Sequence, residues 1–183
     1  MLTDNELLRY SRQILLPQID VDGQLRLKDS RVLIVGLGGL GAPVALYLAA
    51  AGVGELHLAD FDTVDLTNLQ RQIIHDSDSV GVSKVDSAIA RLTAINPDVK
   101  LVAHRQALDA DSLKAAVGAV DLVLDCCDNF GTREAVNAAC VAAKKPLVSG
   151  AAIRLEGQLS VFDPRREESP ATTASMAMAA KPS

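Results

Sequence analysis

The sequence is poor in aromatic residues. Phenylalanine and tyrosine together make up 3% of its 183 residues, and tryptophan is absent. A buried core therefore has to be built from aliphatic residues, which bring the hydrophobic fraction to 49%. This composition excludes an intrinsically disordered chain and is typical of a buried parallel sheet covered by helices. The length suits one domain with a sizeable core.

Cysteine, excess positive charge and long hydrophobic runs are also scarce. The three cysteines, Cys126, Cys127 and Cys140, form neither a Cys-x-x-Cys pair nor an even set, so we expect reduced thiols and a cytoplasmic protein. The net charge of −5 argues against nucleic acid as the main partner. Because no run reaches the length of a membrane span and the N-terminus lacks a signal-peptide pattern, we expect no membrane association.

Residues 31–62 contain the most informative pattern. A hydrophobic run ends in glycines spaced as G-x-G-x-x-G, at Gly36, Gly38 and Gly41. A hydrophobic helix and a second short run follow, ending at Asp60. Such a turn brings backbone close to a phosphate, the next helix directs its N-terminus at it, and a carboxylate placed like Asp60 binds ribose hydroxyls. We interpret this stretch as a nucleotide site; the alternative is a tight turn needed only for packing a helix on a sheet.

Strand and helix patterns alternate along the rest of the chain, and we interpret His57 as a packed residue of the second strand. Residues 17–30 read as an irregular connection with a short helical piece, and 61–78 are aperiodic. The alternation predicts an α/β fold with a Rossmann-like, mainly parallel sheet and helices on both faces. Helices are predicted at 4–16, 40–52, 83–95, 109–117 and 131–143, and strands at 31–36, 55–60, 99–103, 120–125, 146–150 and 157–162.

Charged residues gather where such sheets bind their ligands, beyond the carboxyl ends of the strands. Arg71 and Lys84 follow the second strand, and cations there bind phosphates and stabilise a leaving pyrophosphate. Asp128 follows the fourth strand and suits Mg²⁺. Together they favour chemistry on the phosphates of ATP over a nicotinamide cofactor. Taken singly, each has a simpler explanation, a solvated cation or a helix cap.

Six segments stand in order over residues 4–169: LLRYSRQ, RVLIVGLGGLG, LADFDTVDLTNLQRQ, VGVSK, LVLDCCDN and PLVSGAAIRLEGQLSVF. Together they resemble the ThiF/MoeB/HesA family of adenylyltransferases. These enzymes activate ubiquitin-like sulfur-carrier proteins and are related to the ubiquitin-activating enzymes. The resemblance is strongest to the molybdopterin-synthase branch and next to the thiamine-pathway branch.

The resemblance implies a reaction and a set of roles. The C-terminal carboxylate of a carrier ending in Gly-Gly would be adenylated by ATP with Mg²⁺, releasing pyrophosphate, in a homodimer. Arg12 would be an arginine finger that reaches the ATP of the other protomer, Arg71 and Lys84 would stabilise the transition state, and Asp128 would bind Mg²⁺. The implied nucleotide pocket comprises Gly36, Gly38, Gly39, Gly41, Asp60, Asp62, Thr67, Asn68, Leu69, Gln70, Arg71, Lys84, Asp128 and Asn129.

The sequence departs from the family pattern in two places. Cys126 and Cys127 precede Asp128 where relatives usually have a small residue or threonine, and we interpret them as packing residues. After Pro170 the family continues with Cys-x-x-Cys, half of a structural zinc site, whereas this chain ends ATTASMAMAAKPS. We therefore expect no zinc on this chain and a sheet that is incomplete at its C-terminus.

The expected organisation is a helical arm at 1–30, an ATP-binding domain at 31–169 and a disordered tail at 170–183. The tail is either a natural alanine-rich terminus or the product of a frameshift, which the nucleotide sequence of the gene decides. The leading functional hypothesis is adenylation of a molybdopterin-type sulfur carrier. The alternatives are the thiamine-pathway carrier, a non-catalytic nucleotide-binding remnant, and a nicotinamide- or flavin-dependent oxidoreductase.

Overall fold

A computed structural model describes residues 1–166. The predicted tail at 170–183 lies outside the described residues, and so does the place where the family has its zinc cysteines. Within the described part, no helix has both the length and the hydropathy needed to cross a membrane.

A six-stranded sheet forms the centre of the molecule, in the order β3-β2-β1-β4-β5-β6. The first five strands in the chain run parallel, and β6 pairs antiparallel with β5. The predicted mainly parallel Rossmann-like sheet is thus confirmed. The strands are β1 (Arg31–Val35), β2 (Glu55–Ala59), β3 (Lys100–His104), β4 (Leu122–Asp125), β5 (Leu147–Ile153) and β6 (Glu156–Phe162).

Helices cover both faces of the sheet, and β1 shows why. Its side chains alternate, so Val32 and Ile34 pack in one hydrophobic cluster while Leu33 and Val35 pack in the other. The helices α4 and α5 contribute to the first cluster, and α6 and α7 to the second. The helices are α1 (Asp4–Arg9), α2 (Ser11–Ile14), α3 (Asp20–Asp29), α4 (Gly41–Ala51), α5 (Lys84–Ile95), α6 (Ala110–Gly118) and α7 (Phe130–Ala143).

The N-terminal arm differs from its prediction in two respects. The helix predicted at 4–16 is divided at Tyr10, which leaves helical geometry and packs its ring against Gly52, where α4 ends. The Tyr10 hydroxyl also accepts a hydrogen bond from Asn96 Nδ2 at 2.8 Å. In addition, the connection predicted at 17–30 contains the ten-residue helix α3. The predicted division into an arm and a domain stays a prediction.

Candidate functional site

The crevice of this sheet lies between β1 and β4. From β1 the chain proceeds outward to β2 and β3, and it then returns to place β4 on the other side of β1. A crevice forms at such a reversal, beyond the carboxyl ends of the two strands, and it is where doubly wound sheets bind ligands. Two loops flank it: the glycine turn (residues 36–41) after β1 and the Cys-Asp loop (residues 126–129) after β4.

The four glycines of the turn fall into two classes. Gly36 has φ +90°, and a Cβ there would lie 2.9 Å from the Cys126 carbonyl oxygen; a Cβ on Gly41 would lie 1.8 Å from the Gly36 carbonyl oxygen. These two glycines are required by packing. Gly38 and Gly39 are not, because a Cβ on either would be 3.5 Å from the nearest side chain. The middle of the turn therefore faces the side chains of Gln72 and Arg71 at contact distance rather than packed backbone, next to the N-terminus of α4.

Asp60 is attached directly to the glycine turn. One carboxylate oxygen accepts a hydrogen bond from the Leu37 N–H at 2.8 Å, and the other accepts one from the Asp62 N–H at 2.9 Å. A carboxylate has further lone pairs, so these bonds leave capacity to accept from a ribose. The turn and the end of β2 are thus held together by Asp60.

A short 3₁₀ helix, Leu66–Asn68, brings Arg71 to the turn. The Arg71 guanidinium donates to Asn68 Oδ1 at 2.7 Å and to the Thr67 carbonyl at 3.4 Å. Its aliphatic stem lies over Gly39. The remaining predicted members of this segment, Leu69 and Gln70, lie between these residues in the chain. The structure thus brings Arg71 and Asn68 together with the turn.

Lys84 reaches the same region from the start of α5. Its ammonium lies 2.9 Å from Asp62 Oδ2, and its backbone N–H donates to the Asp62 carbonyl at 3.0 Å. The lysine is 6% exposed, whereas the Asp62 side chain is half exposed. The structure thus places a nearly buried cation beside a partly open carboxylate.

The other predicted residues are less closely grouped. Asn129 uses its side-chain oxygen to cap α7, accepting from Thr132 N–H at 2.8 Å, and Asp128 is exposed just before it. Arg12 is exposed on α2, and the neighbouring Gln13 donates to the Ala51 carbonyl at the C-terminal end of α4. The glycine turn is at the opposite end of α4, so the structure does not bring Arg12 to the crevice of its own chain.

A buried ion pair beneath the Cys-Asp loop was not predicted from the sequence. Asp125 is fully buried, and its carboxylate lies 3.0 Å from Arg133 Nη1 and accepts from the Ser149 hydroxyl at 2.8 Å. Arg133 also donates to the carbonyls of Cys127 at 2.7 Å and Gly150 at 3.0 Å. The sequence did contain a signal for this pair: an acidic residue ends a buried strand, and an arginine follows in the next helix.

The two adjacent cysteines lie within this arrangement. The Cys127 thiol donates to Asp125 at 2.7 Å. Burial, together with the Asp125 carboxylate, raises the pKa of Cys127 to about 12, and burial raises the pKa of Cys126 to about 12 as well. Thiols with such pKa values stay protonated and are poor nucleophiles. The structure therefore agrees with the interpretation of Cys126 and Cys127 as packing residues.

Gln72 and His75 are further polar residues at the turn that the sequence did not reveal. Gln72 is 4% exposed and faces Gly38, and within the described chain its Oε1 atom accepts no hydrogen bond. His75 is also buried and bonds to the Leu37 carbonyl. Gln72 and His75 thus place two buried polar side chains against the glycine turn.

The sheet reversal, the glycine turn and the adjoining charges define a nucleotide-binding α/β domain. The model of the ThiF family matches residues 10–182, and the chain belongs to that family. It is 58% identical over 161 residues to molybdopterin-synthase adenylyltransferase of Escherichia coli K12, covering 88% of this chain and 65% of that protein. It is 52% identical over 167 residues to the sulfur carrier protein ThiS adenylyltransferase of the same organism, covering 91% of this chain and 66% of that protein.

A solved structure agrees with this assignment. The crystal structure of E. coli MccB with ATP superposes with a TM-score of 0.78 at 26% identity, covering 95% of this chain and 56% of that one. The chain therefore spans about two thirds or less of the length of the relatives that it matches.

Proposed function

We propose that this chain is an ATP-dependent adenylyltransferase domain. Its substrate would be the C-terminal Gly-Gly carboxylate of a ubiquitin-like sulfur-carrier protein of the molybdopterin-synthase small-subunit type. The observation that carries the proposal is the grouping at the glycine turn of Arg71 and Asp60, with Lys84 held beside Asp62. The names of the relatives and the neighbour solved with ATP support it.

ATP would lie in the crevice with its phosphates on the glycine turn, where backbone N–H groups and the N-terminus of α4 attract anions. Asp60 would bind the ribose. Asn68, Arg71 and Lys84 would hold the phosphates. The pocket would be completed by Gly36, Gly38, Gly39, Gly41, Asp62, Thr67, Leu69, Gln70, Asp128 and Asn129.

The reaction needs no general base. The carrier carboxylate is ionised at neutral pH and attacks the α-phosphorus, forming an acyl–O–P bond while the bond to the bridging oxygen of pyrophosphate breaks. Negative charge accumulates on the leaving group, and Arg71 and Lys84 are placed to stabilise it. Catalysis would consist of positioning and charge neutralisation.

Mg²⁺ would accompany ATP, and the donors in the crevice fit it. Asp128 is an exposed carboxylate at the edge of the crevice, and Mg²⁺ commonly takes one or two protein carboxylates beside phosphate oxygens. When bound, the ion would neutralise phosphate charge. In the part of the chain that the structure describes, no group of three or more histidines, cysteines or carboxylates could hold a metal.

Arg12 would act on the ATP of a second copy in a homodimer. It is exposed on α2, and it lies near the end of α4 that points away from the crevice of its own chain. An exposed cation with this placement is available to a partner rather than to its own site.

Carrier-dependent exchange between ATP and labelled pyrophosphate tests the proposal. The chain should catalyse exchange with a molybdopterin-type carrier, and Lys84→Met and Arg71→Ala should each lower it by about 10²-fold or more, the scale for loss of one transition-state charge contact. Arg12→Ala should abolish exchange and leave ATP binding largely intact.

The matched controls are Lys114→Met and Arg91→Ala, which remove exposed charges on α6 and α5. Equal losses in the controls would contradict the assigned roles. ATP binding without exchange would indicate a nucleotide-binding domain only, and exchange with a thiamine-type carrier alone would reassign the substrate. Binding of NAD(H) with no binding of ATP would refute the proposal.

A further inference from the structure

The peptide groups around Leu37, in the glycine turn, are held on two sides. The Leu37 N–H donates to Asp60 at 2.8 Å, and the Leu37 carbonyl oxygen lies 3.2 Å from His75 Nε2. Leu37 is fully buried and His75 is 7% exposed, so the bond between them is shielded from water. Two consecutive peptide planes of the turn are therefore fixed by side chains from elsewhere in the chain.

The protonation pattern of His75 follows from its two partners. A carbonyl oxygen can only accept, so Nε2 carries a hydrogen and donates to Leu37. Burial lowers the pKa of His75, which keeps the imidazole neutral near pH 7 and makes Nδ1 an acceptor. The Ser87 hydroxyl, 2.9 Å from Nδ1, is then the donor. His75 thus joins the turn to α5.

This connection bears on two groups that would meet the phosphates. In a trans peptide the carbonyl and the next N–H point in opposite directions. Because the Leu37 carbonyl points inward at His75, the Gly38 N–H points away from the interior, and among the described residues it has no protein acceptor. Ser87 lies one helical turn after Lys84 on α5, so the same bond also locates the helix that carries the lysine.

We propose that His75, together with Ser87, is a positioning residue for the nucleotide site: it fixes the Gly38 N–H toward the phosphates and keeps the glycine turn in register with Lys84. This inference rests on the proposed function as far as the phosphates are concerned. The arrangement of the turn itself is a property of the ligand-free chain.

Two amide substitutions separate the two bonds of His75. In His75→Gln the amide nitrogen takes the place of Nε2 and can still donate to Leu37. In His75→Asn the shorter amide takes the place of Nδ1, so it reaches Ser87 but not Leu37. We expect ATP affinity within about threefold of the unsubstituted chain for His75→Gln and a loss of about tenfold for His75→Asn, the effect of one hydrogen bond.

The first measurement is amide hydrogen exchange of residues 36–41 in the full chain without ligand. Exchange should accelerate in His75→Asn and stay near the original rate in His75→Gln. Calorimetric titration with ATP, at a temperature where both variants are folded, is the second measurement.

The inference would be overturned if the amide hydrogens of residues 36–41 exchanged at the same rate in both variants, whether or not that rate differs from the rate of the unsubstituted chain. If the unsubstituted chain binds no ATP, the proposed function fails, and the positioning of the turn is still decided by hydrogen exchange. If His75→Asn exchanges faster and yet binds ATP with full affinity, the turn is held by His75 but the nucleotide does not use it, which also overturns the inference.

Discussion

The two loops that flank the crevice are held in place by different physical means. The glycine turn after β1 depends on space, since Gly36 and Gly41 permit an approach that any side chain would block. The Cys-Asp loop after β4 depends on charge, since the buried Asp125 and Arg133 bind its backbone from below. The turn should therefore be sensitive to added atoms, and the loop should be sensitive to removal of one partner of a pair.

The largest effect on stability should follow from Arg133→Met. The substitution leaves the Asp125 carboxylate buried without its cation, which typically costs about 3–5 kcal/mol in free energy of unfolding. Chemical denaturation followed by circular dichroism measures the loss. Arg105→Met is the matched control, because Arg105 pairs with Asp86 at 2.7 Å on the surface and such pairs contribute about 0–1 kcal/mol.

A second variant distinguishes loss of charge pairing from loss of packing. Adding Asp125→Asn to Arg133→Met removes the uncompensated charge and should restore part of the lost stability. If Arg133→Met and Arg105→Met cost the same, the loop is not held by its buried pair, and the contrast between the two loops disappears.

The next effect should come from Gly41→Ala. The new methyl group would meet the Gly36 carbonyl oxygen at 1.8 Å, so the backbone must shift, and overpacking of this kind costs about 1–3 kcal/mol or more. Gly118→Ala is the control: it lies at the end of α6 with nothing within 4 Å of a Cβ, and alanine there should raise stability by about 0.5–1 kcal/mol. A fully stable Gly41→Ala would show that the turn does not depend on space.

The smallest effect concerns pH. Burial lowers the pKa of His75 below its ordinary value of 6.5, so the unfolded chain binds the proton more readily than the folded one. The stability that the chain gains from a neutral His75 is therefore complete above pH 6.5. It is lost as the pH falls through the lower pKa that His75 has in the folded chain. Measured between pH 7 and pH 5 by thermal unfolding, His75→Gln should show a shallower loss of stability than the unsubstituted chain.

The remaining pH dependence in that window should include His104. Burial lowers its pKa, and the stacked His57 ring lowers it further. Adding His104→Gln should therefore flatten the profile again. An unchanged slope in His75→Gln would show that His75 does not titrate differently in the folded and unfolded chains.

The sequence predicted much of the fold because its signals are local. Alternating strand and helix patterns placed all six strands, and G-x-G-x-x-G with Asp60 located one side of the crevice. The division of the first helix at Tyr10 could not be predicted, since it depends on contacts with Gly52 and Asn96, far along the chain. Arg133 was not assigned a role either: its pairing with Asp125 depends on burial, and its further partners Ser149 and Gly150 come from β5.

By itself, the sequence determined that a tight glycine turn follows β1, because the glycine spacing is a backbone requirement. The role of Arg71, Lys84 and Asp128 as the charges of a phosphate site stays a prediction. Only the tertiary structure decided which glycines are required by close backbone packing and which face side chains at ordinary contact distance. It also revealed that a neutral His75 and a buried Asp125–Arg133 pair hold the two loops. The physical reason is that burial sets the protonation and pairing of polar groups, and burial is a property of the assembled chain rather than of any short segment.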